Sequence, residues 1–148
     1  MVTGEVHGMA YSIGVPAGWV EDTANKGACD DYWTEISVAG YTVAGACPVL
    51  YKDPNSDAYV RLSMTDSPLP TKAERVFPSV PWDKNWPGYK EGTEETVDDF
   101  TAVADFTCDD GDVKFMVKVT LDPPQVWQLG VVNAPDQAQK IFDSLTVG

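Results

Sequence analysis

The chain has 148 residues, 43% of them hydrophobic, with 23 Asp+Glu against 10 Lys+Arg and a formal net charge of -13. That length and apolar content suit one domain, spanning 1–148, with its own core, and exclude wholesale disorder. The charge sets the chain against phosphate backbones and anionic membrane surfaces, and no apolar run is long enough to cross a bilayer.

The chain opens on Met1, Val2, Thr3 and Gly4, which read as an artificial or trimmed start with any export signal removed. Met9, Tyr11, Ile13 and Val15 alternate with Ala10, Ser12 and Gly14, predicting a first strand. Pro16, Ala17 and Gly18 end it, because proline presets a turn dihedral and glycine relieves the next position. Trp19 then returns to the core as a bulky anchor. Glu21 to Asp31 is polar and irregular, and Trp33 to Tyr51 predicts two short strands interrupted at Gly40 and Gly45.

Asp53 to Asp57 is a turn, and Ala58, Val60, Leu62 and Met64 mark the buried side of the strand after it. Ser67 to Tyr89 carries Pro68, Pro70, Pro78, Pro81 and Pro87, which prevent long regular structure. Only a short helix at Thr71 to Phe77 fits there. Glu91 to Val97 and Asp98 to Cys108 read as strands, with Asp109, Asp110, Gly111 and Asp112 as the hairpin turn that follows. Val113, Phe115, Val117, Val119 and Leu121 then face one way, opposite Lys114, Lys118 and Thr120. That alternation predicts a sheet with one buried and one wet face. Trp127, Leu129 and Val131 repeat it after a Pro123-Pro124 turn. Ala138, Ile141, Phe142 and Leu145 switch to helical spacing and predict a closing amphipathic helix.

Cys29 and Cys47 sit in loop-like surroundings, whereas Cys108 is in phase with Ala102, Ala104 and Phe106. The expectation is a Cys29–Cys47 disulfide, a buried free Cys108 and an oxidising compartment. Three unrelated thiols in a cytosolic protein is the alternative.

Chemistry-bearing patterns are sparse. His7 is the single histidine and reads as an exposed terminal residue. No nucleophile elbow, phosphate-binding loop, dinucleotide fingerprint or zinc-ligand spacing is present. Neither catalytic nor metal-binding residues are assigned, and no cofactor is expected. Asp30-Asp31, Glu94-Glu95 and Asp98-Asp99 are sequential neighbours, which on a strand point to opposite faces. The acidic run at Asp109 to Asp112 suits a turn better than a calcium loop. The candidate ligand contacts are Trp82, Trp86 and Tyr89, large aromatics in a proline-bounded loop. They either stack on a ligand or fold back as a lid on the sheet.

Three passages carry a resemblance. Tyr11 to Trp19 resembles the opening strand and Val-Pro-x-Gly-Trp turn of PsbP-like domains, including the actinobacterial LpqN-type lipoproteins. Ala104 to Thr107 with the Lys114 to Leu121 strand resembles their central hairpin, and Ala134-Pro135 with Ile141 to Leu145 their closing helix. The resemblance implies an α+β fold, an antiparallel sheet flanked by helices as an α/β/α sandwich. It further implies an exported, often lipid-anchored accessory or binding module without catalytic apparatus.

The sequence-based expectation is therefore a non-enzymatic, extracytoplasmic, monomeric binding module for a protein or neutral small ligand. The alternatives are a carboxylate- or cation-dependent hydrolase, and an intracellular regulator binding a basic protein.

Overall fold

The computed structural model describes residues 1–6, 9–22, 34–38, 41–45, 49–66, 86, 88–121 and 124–147. Among these, the strands form two antiparallel sheets, joined by one helix near the C-terminus in an α+β arrangement. The smaller sheet is ordered β1-β2-β12, from β1 (Val2–Val6), β2 (Met9–Ile13) and β12 (Thr146–Val147). Sequence alternation does not announce β1, yet it pairs along β2 with Val2 opposite Ile13.

The larger sheet has nine strands. They are β3 (Val20–Glu21), β4 (Thr34–Val38), β5 (Tyr41–Gly45), β6 (Val49–Lys52), β7 (Tyr59–Asp66), β8 (Glu91–Thr96), β9 (Thr101–Cys108), β10 (Gly111–Leu121) and β11 (Pro124–Val132). The main path runs β3-β6-β7-β11-β10-β9-β8, with β5 against β7 and β4 against β5. Three strands, not the two expected, therefore lie between Trp33 and Lys52. The helix expected at 71–77 lies outside the described residues. At the β8 edge Glu91, Glu94 and Glu95 are all exposed.

The prediction of one wet sheet face is corrected. On one face Val113, Phe115, Val117 and Val119 of β10 join Ala102, Ala104, Phe106 and Cys108 of β9, and Trp86 packs over them. On the other, Val60, Leu62, Met64, Trp127, Leu129 and Val131 form a second cluster, in which Met116 is only 8% exposed. The reason is visible along β11. Val126 and Val132 belong to the first cluster, and Trp127, Leu129 and Val131 to the second. A strand apolar at both parities is covered on both sides.

Helix α1 (Pro135–Ser144) and β2 cover the second cluster. Proline at the first helical position loses no hydrogen bond that the helix would have made, and Asp136 complements the positive end. Ile141, Phe142 and Leu145 are buried, and Gln137, Lys140 and Asp143 are exposed, as their helical spacing predicts. At the far end the Ser144 hydroxyl donates to the Ile141 carbonyl at 2.6 Å and accepts the Gly14 N–H at 2.7 Å. This one hydroxyl ties the helix to the end of β2. Within the same cluster the Tyr11 and Tyr51 hydroxyls share a hydrogen bond of 2.7 Å.

The turns expected at Pro16 to Gly18 and at Asp53 to Asp57 are present. Trp19 N–H donates to the Pro16 carbonyl at 3.2 Å, with Gly18 at φ 88 where a side chain would be strained. Trp19 packs, partly buried, on the helix-side cluster. Asp53 accepts from the Asn55 N–H at 2.9 Å and from the Ser56 hydroxyl at 2.8 Å. Such side-chain bonds are why Asp and Ser select this turn.

The disulfide expectation is also corrected: no disulfide occurs among the described residues. Cys108 is buried and free, as expected, because its inward phase on β9 places the sulfur among apolar side chains. Cys29 and Cys47 lie outside the described residues.

Candidate functional site

Strand register builds the site on the sheet face opposite the helix. Directly paired residues of an antiparallel sheet share a face. One row crosses the sheet as Leu50, Arg61, Gly130, Phe115 and Ala104; the next runs Lys52, Tyr59, Val132, Val113 and Phe106. Gly130 interrupts the first row of side chains. A Cβ there would collide with the far edge of the Trp86 indole, so the glycine is the gap through which Trp86 reaches the sheet.

Trp86 is 6% exposed. Its ring meets Phe106 and Phe115 edge-on, with centroids 5.7 and 5.8 Å away, the arrangement that aromatic quadrupoles favour. The Arg61 guanidinium carbon stands 5.0 Å from the Trp86 centroid, a cation–π contact. Tyr89, half-buried, lies against Phe106 at 5.2 Å. The fold therefore brings Trp86 and Tyr89 together on Phe106, with Trp86 as a buried wall. Trp82 lies outside the described residues, as does His7.

A cavity of about 680 Å³ opens beside this wall, within the range usual for small-molecule sites. Leu50, Tyr59, Arg61 and Trp86 line its inner part, and Lys52, Asp57, Asp109 and Asp110 its exposed rim. Two turns supply the rim carboxylates, and Asn133 clamps them. At φ 57 its side-chain amide donates to the Asp110 carbonyl at 2.8 Å and to the Asp57 carbonyl at 3.5 Å. Its side-chain oxygen accepts the Asp112 N–H at 3.2 Å. Asparagine tolerates this left-handed backbone better than most residues.

Most rim charges are engaged. Lys52 pairs with Asp22 at 2.7 Å, Lys90 approaches Asp109 at 3.8 Å, and the Tyr59 hydroxyl donates to Asp110 at 2.8 Å. Burial, then the bond to Asp110, pushes the Tyr59 phenol well above its ordinary range. Arg61 differs. Burial pulls its guanidinium below the ordinary value, Tyr59 opposes that shift, and no carboxylate or carbonyl among the described residues accepts its N–H groups.

Sequence reading missed Arg61, Tyr59 and the two turns as one site. Tyr59 and Arg61 fall on the polar side of the 58–64 alternation, which looks like a solvent face until Trp86 covers it. A glycine at position 130 inside an apolar strand was the available signal. Among the remaining acidic candidates, Asp98 accepts the Phe100 N–H at 2.8 Å and so serves a turn. No group of three or more metal-ligating side chains occurs among the described residues. None of their helices is long and apolar enough to cross a membrane.

The fold and site define an α+β domain with a small, charged cavity on one sheet face. Comparisons with protein-family models, curated proteins and solved structures return no match to this chain.

Proposed function

We propose that this domain is a non-enzymatic, extracytoplasmic binding module of the PsbP-like α/β/α kind, and that its ligand occupies the cavity beside Arg61 and Trp86. The observation carrying this reading is Arg61 itself: a partly buried guanidinium held against an indole, lining a cavity of about 680 Å³ and without a hydrogen-bond acceptor among the described residues. A desolvated cation costs stability unless it is paired, and a ligand acceptor supplies the missing partner. The Val15-Pro16-Ala17-Gly18-Trp19 turn and the closing helix support the PsbP-like assignment.

The test is heteronuclear NMR with a small library of charged and neutral fragments, following the Trp86 indole N–H. Fragment binding is expected to shift that resonance in the wild type and to weaken in Arg61→Gln. A fragment set that leaves the indole signal unmoved removes the cavity as the ligand site. Export is tested separately by fractionating cells that express the native gene; recovery only in the cytosol removes the extracytoplasmic part.

A further inference from the structure

We infer that the cavity selects a small zwitterion, one that places a carboxylate on Arg61 and an ammonium group at the Asp57–Asp109–Asp110 rim. The inference rests on the cavity being the ligand site and adds the ligand's chemical class. Three alternatives fit the charges less well. A neutral ligand leaves the guanidinium without the charge-assisted bonds that a planar carboxylate forms with its fork. A simple anion must pass three rim carboxylates on a chain whose formal charge is -13, a field that repels it. A simple cation is attracted by that rim but meets Arg61 at the inner end.

The existing pairings leave both signs on offer. Lys52 is held by Asp22 at 2.7 Å and so adds little to anion capture. The Asp57 carboxylate has no hydrogen-bond or ion-pair partner among the described residues, and Asp109 has only the exposed Lys90 contact at 3.8 Å. Asn133 fixes the two rim turns relative to each other by holding the Asp57 and Asp110 carbonyls. The rim turns are thus positioned before a ligand arrives, which lowers the ordering cost of binding there.

Calorimetric and NMR titrations with para-aminomethylbenzoate, benzoate and benzylamine at equal ionic strength test the inference. The wild type is expected to bind the zwitterion about tenfold or more tighter than either single-charge probe, the factor one good charged contact supplies. Arg61→Gln should lose that affinity, and the double variant Asp57→Asn, Asp109→Asn should bind the zwitterion no better than benzoate. Where Arg61→Gln fails to fold, Arg61→Lys keeps the charge without the bidentate fork and should also lose selectivity. Benzoate or benzylamine binding as tightly as the zwitterion, with the Trp86 indole N–H shifting, overturns the inference and leaves the cavity as a binding site. An unmoved indole signal with all three probes overturns both.

Discussion

Arg61 and Gly130 are direct cross-strand partners on β7 and β11, and the hydrogen that Gly130 carries in place of a side chain decides what Arg61 touches. Because the Trp86 ring fills the space over Gly130, the guanidinium faces an indole on one side and a cavity on the other.

Gly130→Ala is therefore expected to push Trp86 away from the sheet. Overpacking a filled site costs about 1–3 kcal/mol, and the displaced indole should change its fluorescence. Chemical denaturation with tryptophan emission measures both. Wild-type stability with unaltered emission would show that the ring has room to spare.

On the opposite face, Phe142→Ala should cost about 3–5 kcal/mol, the usual effect of deleting a buried ring. Phe142 is buried between the helix and the large sheet. A loss within about 0.5 kcal/mol, typical of surface positions, would place that helical face outside the core.

Asn133 separates backbone from side-chain effects. Asn133→Gly keeps the left-handed backbone but loses the amide bonds to both rim turns, at about 0.5–1.5 kcal/mol per bond. Asn133→Ala loses the same bonds and keeps the Cβ that the glycine variant sheds, a left-handed penalty of roughly 1–2 kcal/mol. Thermal melts should rank wild type above Gly and Gly above Ala. Equal Gly and Ala variants would mean that φ 57 is not maintained.

The two high-lying phenols predict alkaline weakening. Burial is the main cause for both Tyr11 and Tyr59, supplemented by bonds to Tyr51 and Asp110 respectively. Each keeps its proton to higher pH in the folded chain than in the unfolded one. Their stabilisation is thus complete below the ordinary phenol value, about pH 10, and declines above it as the unfolded chain releases protons that the native state retains. Urea unfolding between about pH 9 and 11 should show this decline, and Tyr11→Phe should flatten it. Level stability across that window would contradict the assignment.

Local signals made much of the framework legible. The 58–64 alternation, the Asp53–Asp57 turn, the β9–β10 hairpin and the α1 stripe each use interactions within a few residues, and each is present, the hairpin with a shorter turn than read because Gly111 and Asp112 already belong to β10. Long-range cover was not legible. Nothing local to Met116 or Trp127 says that α1 and β2 will bury the second sheet face, and a period of two gives no sign of which element lies above it. The site escaped for the same reason. Arg61, Gly130 and the Asp110 turn lie far apart in the chain and meet only through strand register, whereas the aromatics at Trp86 and Tyr89 were conspicuous in the sequence itself.

The outermost strand of the large sheet sets a limit on its growth. Among the described residues β8 pairs on one side only, with β9, and it displays Glu91, Glu94 and Glu95 to solvent. Another copy adding a strand there, β8 to β8, would bring six carboxylates into one narrow ribbon, and like charges across paired strands oppose their pairing. Like-charge repulsion thus guards this edge against templating fibres.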